Sequence, residues 1–295
     1  MQFKDKNIEQ IKITVLVEDT KNENLPSAHG LSLYIETPEN KILFDMGPNE
    51  LFWENAEFLG IDLNTVDTAV ISHGHYDHGG GLSTFLDKNK NGKIYIRENA
   101  FGDYYSTSQG KARYIGLDKK LKTNDRLILT APGITQISSN LTLFSSVKSK
   151  ELCPNSNNVL WKMTEHGLVN DNFEHEQNLI IKSDNRYILV GGCAHNGIIN
   201  IEKKAQEIMG TAPDFTISGF HMSIPGSGQS EPPDFVQKAA NHLRESETIR
   251  YTCHCTGSAS YKLLKQTLGE NLRRLTPGCQ IILCLLYTSD AADEA

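Results

Sequence analysis

The segment from residue 71 to residue 82 holds the strongest chemical signal in the sequence. It places three imidazoles and one carboxylate within six positions, at His73, His75, Asp77 and His78. Imidazole and carboxylate suit zinc, and also iron or manganese. On a regular strand His78 would face away from the other three, because side chains alternate between two faces. We therefore predict an irregular turn that could send His73 and His75 to one cation and Asp77 and His78 to a neighbouring one.

A pair of cations needs more ligands than this segment supplies, so histidines elsewhere in the chain are candidates. His254 follows a predicted strand and precedes the start of a helix, and His195 lies in a glycine-rich loop that a helix follows. We expect both to be metal ligands rather than structural histidines. Cys193 stands two positions before His195 and is either a thiolate ligand or an inert buried cysteine.

Other polar residues at strand ends could act beside the metals. His221 and His29 are each either a hydrogen-bond donor facing the substrate or a capping residue. Asp45 ends a strand, and we expect it to accept the second N–H of a ligand histidine, or to serve as a turn carboxylate. His175 could reach the site from a nearby strand, although the surrounding sequence supports this role less than it does for the other histidines. The predicted catalytic residues are Asp77, which also binds metal, His221 and His29.

Strands and helices alternate along the chain and end near these residues. Runs rich in β-branched and apolar residues predict strands at 11–17, 31–37, 41–46, 67–71, 93–96, 127–129, 134–137, 141–144, 179–182, 187–190, 214–218, 249–252 and 279–283. Helical spacing of apolar residues predicts helices at 49–59, 82–87, 198–209, 234–246 and 258–268. This alternation, with a hairpin in each half, indicates stacked α/β layers with their sites at strand ends. The polar regions 101–150 and 225–233 are expected to shape the rim of the pocket.

Six short segments together resemble one branch of the metallo-β-lactamase superfamily. They are Ala28-His29-Gly30-Leu31-Ser32, Ile42-Leu43-Phe44-Asp45-Met46-Gly47, Ser72-His73-Gly74-His75-Tyr76-Asp77-His78, Gly192-Cys193-Ala194-His195-Asn196-Gly197-Ile198, Gly219-Phe220-His221 and His254-Cys255-Thr256-Gly257. The branch is typified by the archaeal dihydropterin–ribofuranosylaminobenzene-phosphate synthase. The resemblance spans roughly residues 11 to 283. The His-x-His-x-Asp-His motif is common to the superfamily, whereas the Gly-Cys-Ala-His and His-Cys-Thr-Gly pieces are more specific to the branch.

The resemblance implies an α/β (α+β) fold, a four-layer αββα sandwich with two divalent metal ions at its edge. The metal ligands carried over by matching position are His73, His75, Asp77, His78, His254 and His195. Zinc is the expected metal, with iron or manganese as alternatives. Hydrolases of the superfamily usually have a bridging aspartate where this chain has Cys193, so the ligand set of the second half stays open.

Three functions are compatible with these residues. The first is a metal-dependent hydrolase that uses an activated water on a small-molecule substrate. The second is a transferase that condenses a dihydropterin pyrophosphate with a ribofuranosylaminobenzene phosphate. The third is a non-catalytic module that binds metal or a ligand. The intact cluster of ligand residues argues against the third, whereas the missing bridging aspartate keeps it open.

Composition and charge restrict the partners and the compartment. The chain has 295 residues, a formal charge of -7 and a pI near 5.8, which argues against a nucleic-acid or anionic-membrane surface. No apolar run approaches the ~20 residues of a membrane span, and no secretory signal is visible at the N-terminus. The cysteines form no disulfide framework, so we expect a cytoplasmic protein. The oligomeric state is left open.

The last residues read differently from the rest of the chain. Residues 284–295 look like the translation of a sequencing adapter, with a natural acidic tail as the alternative. No shift in composition marks a linker before them. We therefore predict a single domain at 1–283, built from two similar halves, and a non-native tail at 284–295.

Overall fold

Two seven-stranded β-sheets lie face to face in the computed structural model, which describes residues 10–22 and 24–284. The first sheet contains, in spatial order, β20 (Gln280–Cys284), β1 (Gln10–Val17), β2 (Ser32–Glu36), β3 (Lys41–Phe44), β4 (Thr68–Val70), β5 (Lys93–Arg97) and β8 (Leu127–Thr130). The second contains, in spatial order, β9 (Ile134–Gln136), β10 (Leu141–Ser145), β13 (Gln177–Ser183), β14 (Arg186–Val190), β15 (Phe215–Ser218), β18 (Ile249–Thr252) and β19 (Leu272–Arg274). In both sheets three antiparallel pairings are followed by three parallel ones. The two halves of the chain therefore share one strand layout.

Alternating apolar side chains fill the space between the sheets. In β1 the inward-facing residues Ile11, Ile13 and Val15 are fully buried, as the period of two along a strand requires. They pack with residues of the second sheet such as Leu179 and Val190. Burial of this apolar surface holds the two halves together and fixes how their strand ends face each other.

Helices cover the outer face of each sheet and complete four layers. They are α1 (Leu51–Phe58), the single turn α2 (Tyr76–Gly79), α3 (Leu82–Lys88), α4 (Ile198–Met209), α5 (Pro233–Leu243) and α6 (Ser258–Leu268). The apolar faces of α1 and α3 pack on the first sheet, and those of α4, α5 and α6 pack on the second. The result is the αββα sandwich that the resemblance implies. Among the described residues, no helix has the length and apolar character needed to cross a membrane.

Smaller elements lie in segments where no strand or helix is predicted from the sequence. A four-stranded sheet consists, in spatial order, of β12 (Gly167–Asn170), β11 (Leu160–Thr164), β6 (Tyr104–Ser106) and β7 (Arg113–Tyr114). A hairpin consists of β16 (Ser223–Ile224) and β17 (Gln229–Ser230), and 3-10 turns span Leu63–Thr65, Lys119–Thr123, Asn155–Val159, His254–Thr256 and Gly269–Asn271. These elements are short and depend on distant partners, since β6 pairs with β11 across more than fifty positions. Local sequence patterns therefore do not reveal them.

The boundary predicted at residue 283 falls inside a strand. β20 continues to Cys284, whose backbone pairs with Gln10 of β1. Residues 285–295 of the predicted tail lie outside the described residues. The single domain and the non-native tail stay predictions.

Candidate metal centre

One end of the sandwich collects the polar residues that follow its strands. The His-x-His-x-Asp-His segment follows β4, and Asp45 follows β3. His195 follows β14, His221 follows β15 and His254 follows β18. Parallel strands of one sheet end at the same edge, and the packing of the two sheets brings the two edges together.

Backbone strain is concentrated at these strand ends. Asp45, Ala194, His221 and His254 are non-glycine residues with φ values of 58, 57, 47 and 49°. This left-handed region is unfavourable for side chains other than glycine and persists only where the surrounding structure imposes it. Strained backbone in four loops that meet at one edge is typical of a functional site.

The first group of inward-facing atoms comes from the two halves of the chain. The Nε2 atoms of His73 and His195 lie 3.3 Å apart. The Sγ atom of Cys193 completes a group whose ligand atoms all lie within 4.8 Å of one another. All three side chains are buried. We call this group the first position.

A second group lies beside the first and shares one member with it. The Nε2 atoms of His78 and His254 lie 3.3 Å apart, and Cys193 Sγ lies 3.1 Å from His78 Nε2. The Oδ2 atom of Asp77 lies 3.4 Å from His254 Nε2 and 3.6 Å from His78 Nε2. We call this group the second position.

His73 and His195 form the first pair of rings. Their Nδ1 atoms point away from each other and donate to neutral groups. The Ser72 hydroxyl donates to Asp45 at 2.7 Å, so it must accept from His73 Nδ1, which lies 2.8 Å away. Asn157 Nδ2 donates to the His195 carbonyl at 2.8 Å, which turns Asn157 Oδ1 toward His195 Nδ1 at 3.0 Å. Both rings therefore carry their proton on Nδ1.

His78 and His254 form the second pair of rings, and their Nδ1 atoms donate to carboxylates. His78 Nδ1 donates to Asp45 Oδ2 at 2.7 Å, the role that the sequence analysis expects for Asp45. His254 Nδ1 donates to Asp19 Oδ1 at 2.6 Å. Such contacts fix the tautomer of a ligand histidine and raise its basicity.

The donor set fits a pair of cations. Because each of the four rings commits Nδ1–H to an outer partner, its Nε2 atom faces inward. In the first pair, whose rings are both neutral, two Nε2 lone pairs at 3.3 Å in a buried pocket repel each other unless a positive charge lies between them. In the second pair the raised pKa of His254 favours a proton, a positive charge that a cation would replace. Nitrogen, thiolate and carboxylate are the ligands that zinc and iron prefer. The four nitrogens, Cys193 and Asp77 would hold the two metals.

Local charge differs between the two positions. Burial and the neighbouring imidazoles lower the pKa of His73 and His195 well below the ordinary value, so both rings are neutral. Burial opposes a charge on His254 as well, but the Asp19 carboxylate raises the pKa of His254 well above the ordinary value. The pKa of Asp77 lies well below its ordinary value, because the imidazoles of His78 and His254 outweigh the effect of burial. The second position therefore attracts positive charge more strongly.

His75 lies on the border of the first position. Its ring centroid is 4.6 Å from that of His73, and its buried Nε2 atom has no hydrogen-bond partner among the described residues. Its ligand atoms group with Asp171 and His175 rather than with His73 and His195. Burial and the neighbouring His175 lower the pKa of His75 to about 3, so its ring is neutral. The predicted pairing of His73 with His75 is therefore looser here than that of His73 with His195.

His175 is held away from the inward-facing atoms. Its Nδ1 accepts the Gly74 N–H at 2.9 Å, and its Nε2 donates to Asp171 at 2.9 Å. Both ring nitrogens are thus occupied, which leaves no lone pair for a metal. The ring supports the turn that carries His73 and His75.

Both predicted catalytic histidines line the cleft above the metal positions. His29 Nε2 lies 3.3 Å from Asp77 Oδ2, and His29 Nδ1 contacts Asp19 Oδ2 at 2.8 Å. His221 packs its ring 4.2 Å from that of His195, and neither of its buried nitrogens has a hydrogen-bond partner among the described residues. The His221 ring is therefore placed to donate to a bound substrate, whereas both nitrogens of His29 contact carboxylates.

The rim of the cleft comes from segments predicted to shape it. Ser106, Ser108, Arg113 and Ile115 line it from the region 101–150. Pro225 lines it from the region 225–233. The enclosed volume is about 60 Å³, enough for the reacting end of a small molecule.

Four polar residues of the site were missed in the sequence. Asp19 supports His254 and His29, whereas Glu18 accepts the His254 backbone N–H at 2.8 Å. Glu176 accepts the His195 backbone N–H at 2.6 Å, and Asn157 supports the ring. The position of Glu18-Asp19 directly after a predicted strand was a usable signal. Asn157 and Glu176 had none, because their contacts span 38 and 19 positions of irregular chain.

The chain is similar to a known protein family and to two proteins of one organism. The family model of the metallo-beta-lactamase superfamily matches residues 28–195. The chain is 30% identical over 287 residues to 7,8-dihydropterin-6-methyl-4-(beta-D-ribofuranosyl)-aminobenzene-5'-phosphate synthase of Methanocaldococcus jannaschii, covering 92% of this chain and 96% of that protein. It is 28% identical over 264 residues to the uncharacterized protein MJ0448 of the same organism, covering 86% and 94%.

Solved structures show the same architecture. Tm1679, described as a metal-dependent hydrolase of the beta-lactamase superfamily, matches with a TM-score of 0.77 and 27% identity, covering 93% of this chain and 99% of that one. Zinc-bound PqqB from Methylobacterium extorquens matches with a TM-score of 0.58 and 10% identity, covering 92% and 99%, and so shares the fold alone. These matches confirm the predicted αββα sandwich.

Proposed function

The chain belongs to the metallo-β-lactamase superfamily, and from that premise we propose that it is a hydrolase with a dinuclear metal centre that acts on a small molecule. The observation that carries the proposal is the convergence of four inward-facing imidazole nitrogens, in two pairs, around Cys193. Two divalent cations held there would polarise the bond under attack and lower the pKa of water toward neutrality. Zinc is the metal we propose, with iron or manganese as alternatives.

The side chains around the cations have distinct tasks. Asp77 binds at the second position and orients the attacking water through its second oxygen. His29 is held by Asp19 with its Nε2 atom turned to Asp77, so it can hold or move a proton beside that carboxylate. His221 lines the same cleft and would donate to the leaving group. The rim of Ser106, Ser108 and Arg113 orients the rest of the substrate.

The first experiment measures metal content and its link to turnover. We expect protein purified without added metal to hold about two transition-metal ions per chain, and chelation to abolish turnover of its substrate. The double variant His73→Ala/His75→Ala should lose at least one ion. His166→Ala is the matched control, because its side chain is exposed and contacts the neighbouring Glu165. Full metal content in the double variant would overturn the metal assignment.

A second experiment separates catalysis from metal binding. His221→Ala should keep its metal content and lower kcat by about 10²- to 10⁴-fold, the usual contribution of a general acid or base. An effect on KM alone, with kcat unchanged, would assign His221 to substrate binding instead.

A transferase is the second candidate, and the sequence relationship favours it. The relative with 30% identity is a synthase whose product carries a 5'-phosphate. The cleft presents the guanidinium of Arg113 and the hydroxyls of Ser106 and Ser108, groups that bind phosphate oxygens. In this reaction the cations would bind a pyrophosphate leaving group while the second substrate attacks.

Substrate assays decide between the candidates. One panel tests hydrolysis of esters, lactones, thioesters and phosphodiesters, and a second tests condensation of a dihydropterin pyrophosphate with a ribofuranosylaminobenzene phosphate. Metal-dependent turnover in the first panel supports the hydrolase, and turnover only in the second supports the transferase. Metal binding without turnover in either supports a non-catalytic module.

We also propose that the protein works in the cytoplasm without a nucleic-acid partner. Cys153, Cys193, Cys253, Cys255 and Cys279 are free thiols, a state that a reducing compartment maintains. The net charge of -7 disfavours binding to a polyanion. Cell fractionation with a tagged chain tests the compartment, and recovery in a secreted fraction would contradict it.

A further inference from the structure

One sulfur atom is common to both metal positions. The Sγ atom of Cys193 lies with His73 and His195 in one group of ligand atoms, and with His78 and His254 in another. Each group fits within 4.8 Å. No other residue belongs to both of these groups among the described residues. Cys193 thus lies between the two positions, where a single atom could contact two cations.

The surrounding backbone holds this sulfur in place. Gly192 packs so closely on the first half of the chain that an added Cβ would lie 2.2 Å from the Ser72 hydroxyl. Ala194 adopts a left-handed φ of 57° and turns the chain back toward the site. The Cys193 side chain is 3% exposed. A cysteine that only filled space in the core would not need the close packing of Gly192 before it or the strained backbone of Ala194 after it.

We propose that the Cys193 thiolate bridges the two cations, and this rests on the proposed dinuclear function. The thiol gives up its proton to solvent when the cations bind, and one lone pair of the sulfur binds each of them. A bridging thiolate is a soft ligand, so the centre should select zinc or iron over manganese and magnesium. It also supplies a negative charge that both positions share, which the neutral first position otherwise lacks.

Cobalt(II) reports on this sulfur directly, because a thiolate bound to cobalt gives a charge-transfer absorption band that oxygen and nitrogen ligands do not. We expect metal-free wild-type protein to gain this band as Co²⁺ is added, and the band to grow through both the first and the second equivalent. A terminal thiolate would contact one cobalt ion, so its band would grow during only one of the two equivalents. Growth confined to either equivalent would therefore overturn the bridge.

Three variants identify the sulfur. Cys193→Ser should lose the band, and Cys193→Asp should lose it while still binding two cobalt ions, because a carboxylate can also bridge. Cys255→Ser is the matched control, since its thiol is buried and lies in a group with Cys193 and His221, and the band should remain. Loss of the band in Cys255→Ser with its retention in Cys193→Ser would assign the thiolate to Cys255 and overturn the proposal.

The outcome separates this proposal from the proposed function. Two bound cobalt ions with turnover but no sulfur band would refute the thiolate bridge and leave the dinuclear hydrolase intact. Fewer than two bound ions in wild-type protein would refute the dinuclear centre itself. The wild-type titration decides the bridge even if a Cys193 variant does not fold.

Discussion

The two metal positions are built from the same kinds of contact but differ in the charge of the groups around them. At each position a loop of the second half supplies one imidazole, and a buried glutamate accepts the backbone N–H of that residue: Glu176 for His195 and Glu18 for His254. The partner of the ring differs, because His195 contacts the Asn157 amide whereas His254 contacts the Asp19 carboxylate.

This difference extends to the remaining ligands. At the first position the His73 ring donates to a hydroxyl, and the ligands from the first half carry no charge of their own. At the second position the His78 ring donates to Asp45, and Asp77 adds a further carboxylate. Carboxylate contacts make an imidazole a better metal ligand. We therefore expect the second position to bind its cation more tightly than the first.

We expect the largest effect from two single variants, each of which removes one ligand from one position. Together they test which position binds its metal ion more tightly. His254→Ala and His195→Ala should both abolish turnover and hold about one ion. The ion left in His195→Ala occupies the second position and should resist a competing chelator, whereas the ion left in His254→Ala should be removed readily. Elemental analysis after timed chelation measures this, and equal lability in the two variants would contradict the comparison.

Neutralising the carboxylate partner should weaken only the second position. Asp19→Asn keeps the size of the side chain but removes the charge that supports His254, so we expect a loss of about 10- to 100-fold in metal affinity there. Affinity at the first position should stay close to wild type. Calorimetric titration resolves the two binding events, and an equal loss at both positions would indicate a general distortion of the site.

Protonation of the metal-free protein should reveal the same asymmetry. Because Asp19 raises the pKa of His254 well above its ordinary value, this ring should be protonated at neutral pH, whereas His195 stays neutral. Nitrogen NMR of the imidazoles between about pH 5 and pH 8 distinguishes these states. Metal must displace the proton on His254, so affinity at the second position should fall as the pH is lowered. A neutral His254 at pH 7 would show that the carboxylates do not attract charge as described.

The smallest effect is expected from the neutral partner of the first position. Asn157→Ala removes a hydrogen bond to the His195 ring, and a neutral hydrogen bond contributes roughly 0.5–1.5 kcal/mol. Metal affinity at the first position should therefore fall by about tenfold or less. A loss as large as that of Asp19→Asn at its own position, measured in the same titration, would show that the charge of the partner is unimportant.

Local patterns in the chain revealed the elements that depend on near neighbours. The strand Ile249–Thr252 and the helices Ile198–Met209 and Ser258–Leu268 have the bounds predicted from apolar spacing. Other boundaries moved slightly, as for α5, which ends at Leu243 rather than at residue 246. The motif loop contains the one-turn helix α2, and the rim contains short strands that were not predicted. Those strands have few residues and depend on distant pairing for their hydrogen bonds.

The sequence by itself determined which residues could bind metal, because ligand chemistry belongs to the side chain and the motif lies within a few positions of one loop. It also determined the strand ends that carry His195 and His254. Only the tertiary structure decided which atoms meet. Asp19 and His254 lie 235 positions apart and touch because β1 and β18 end at the same edge of the sandwich. The charge of each metal position is set by such contacts, since Coulomb interactions depend on distance in space rather than on separation along the chain.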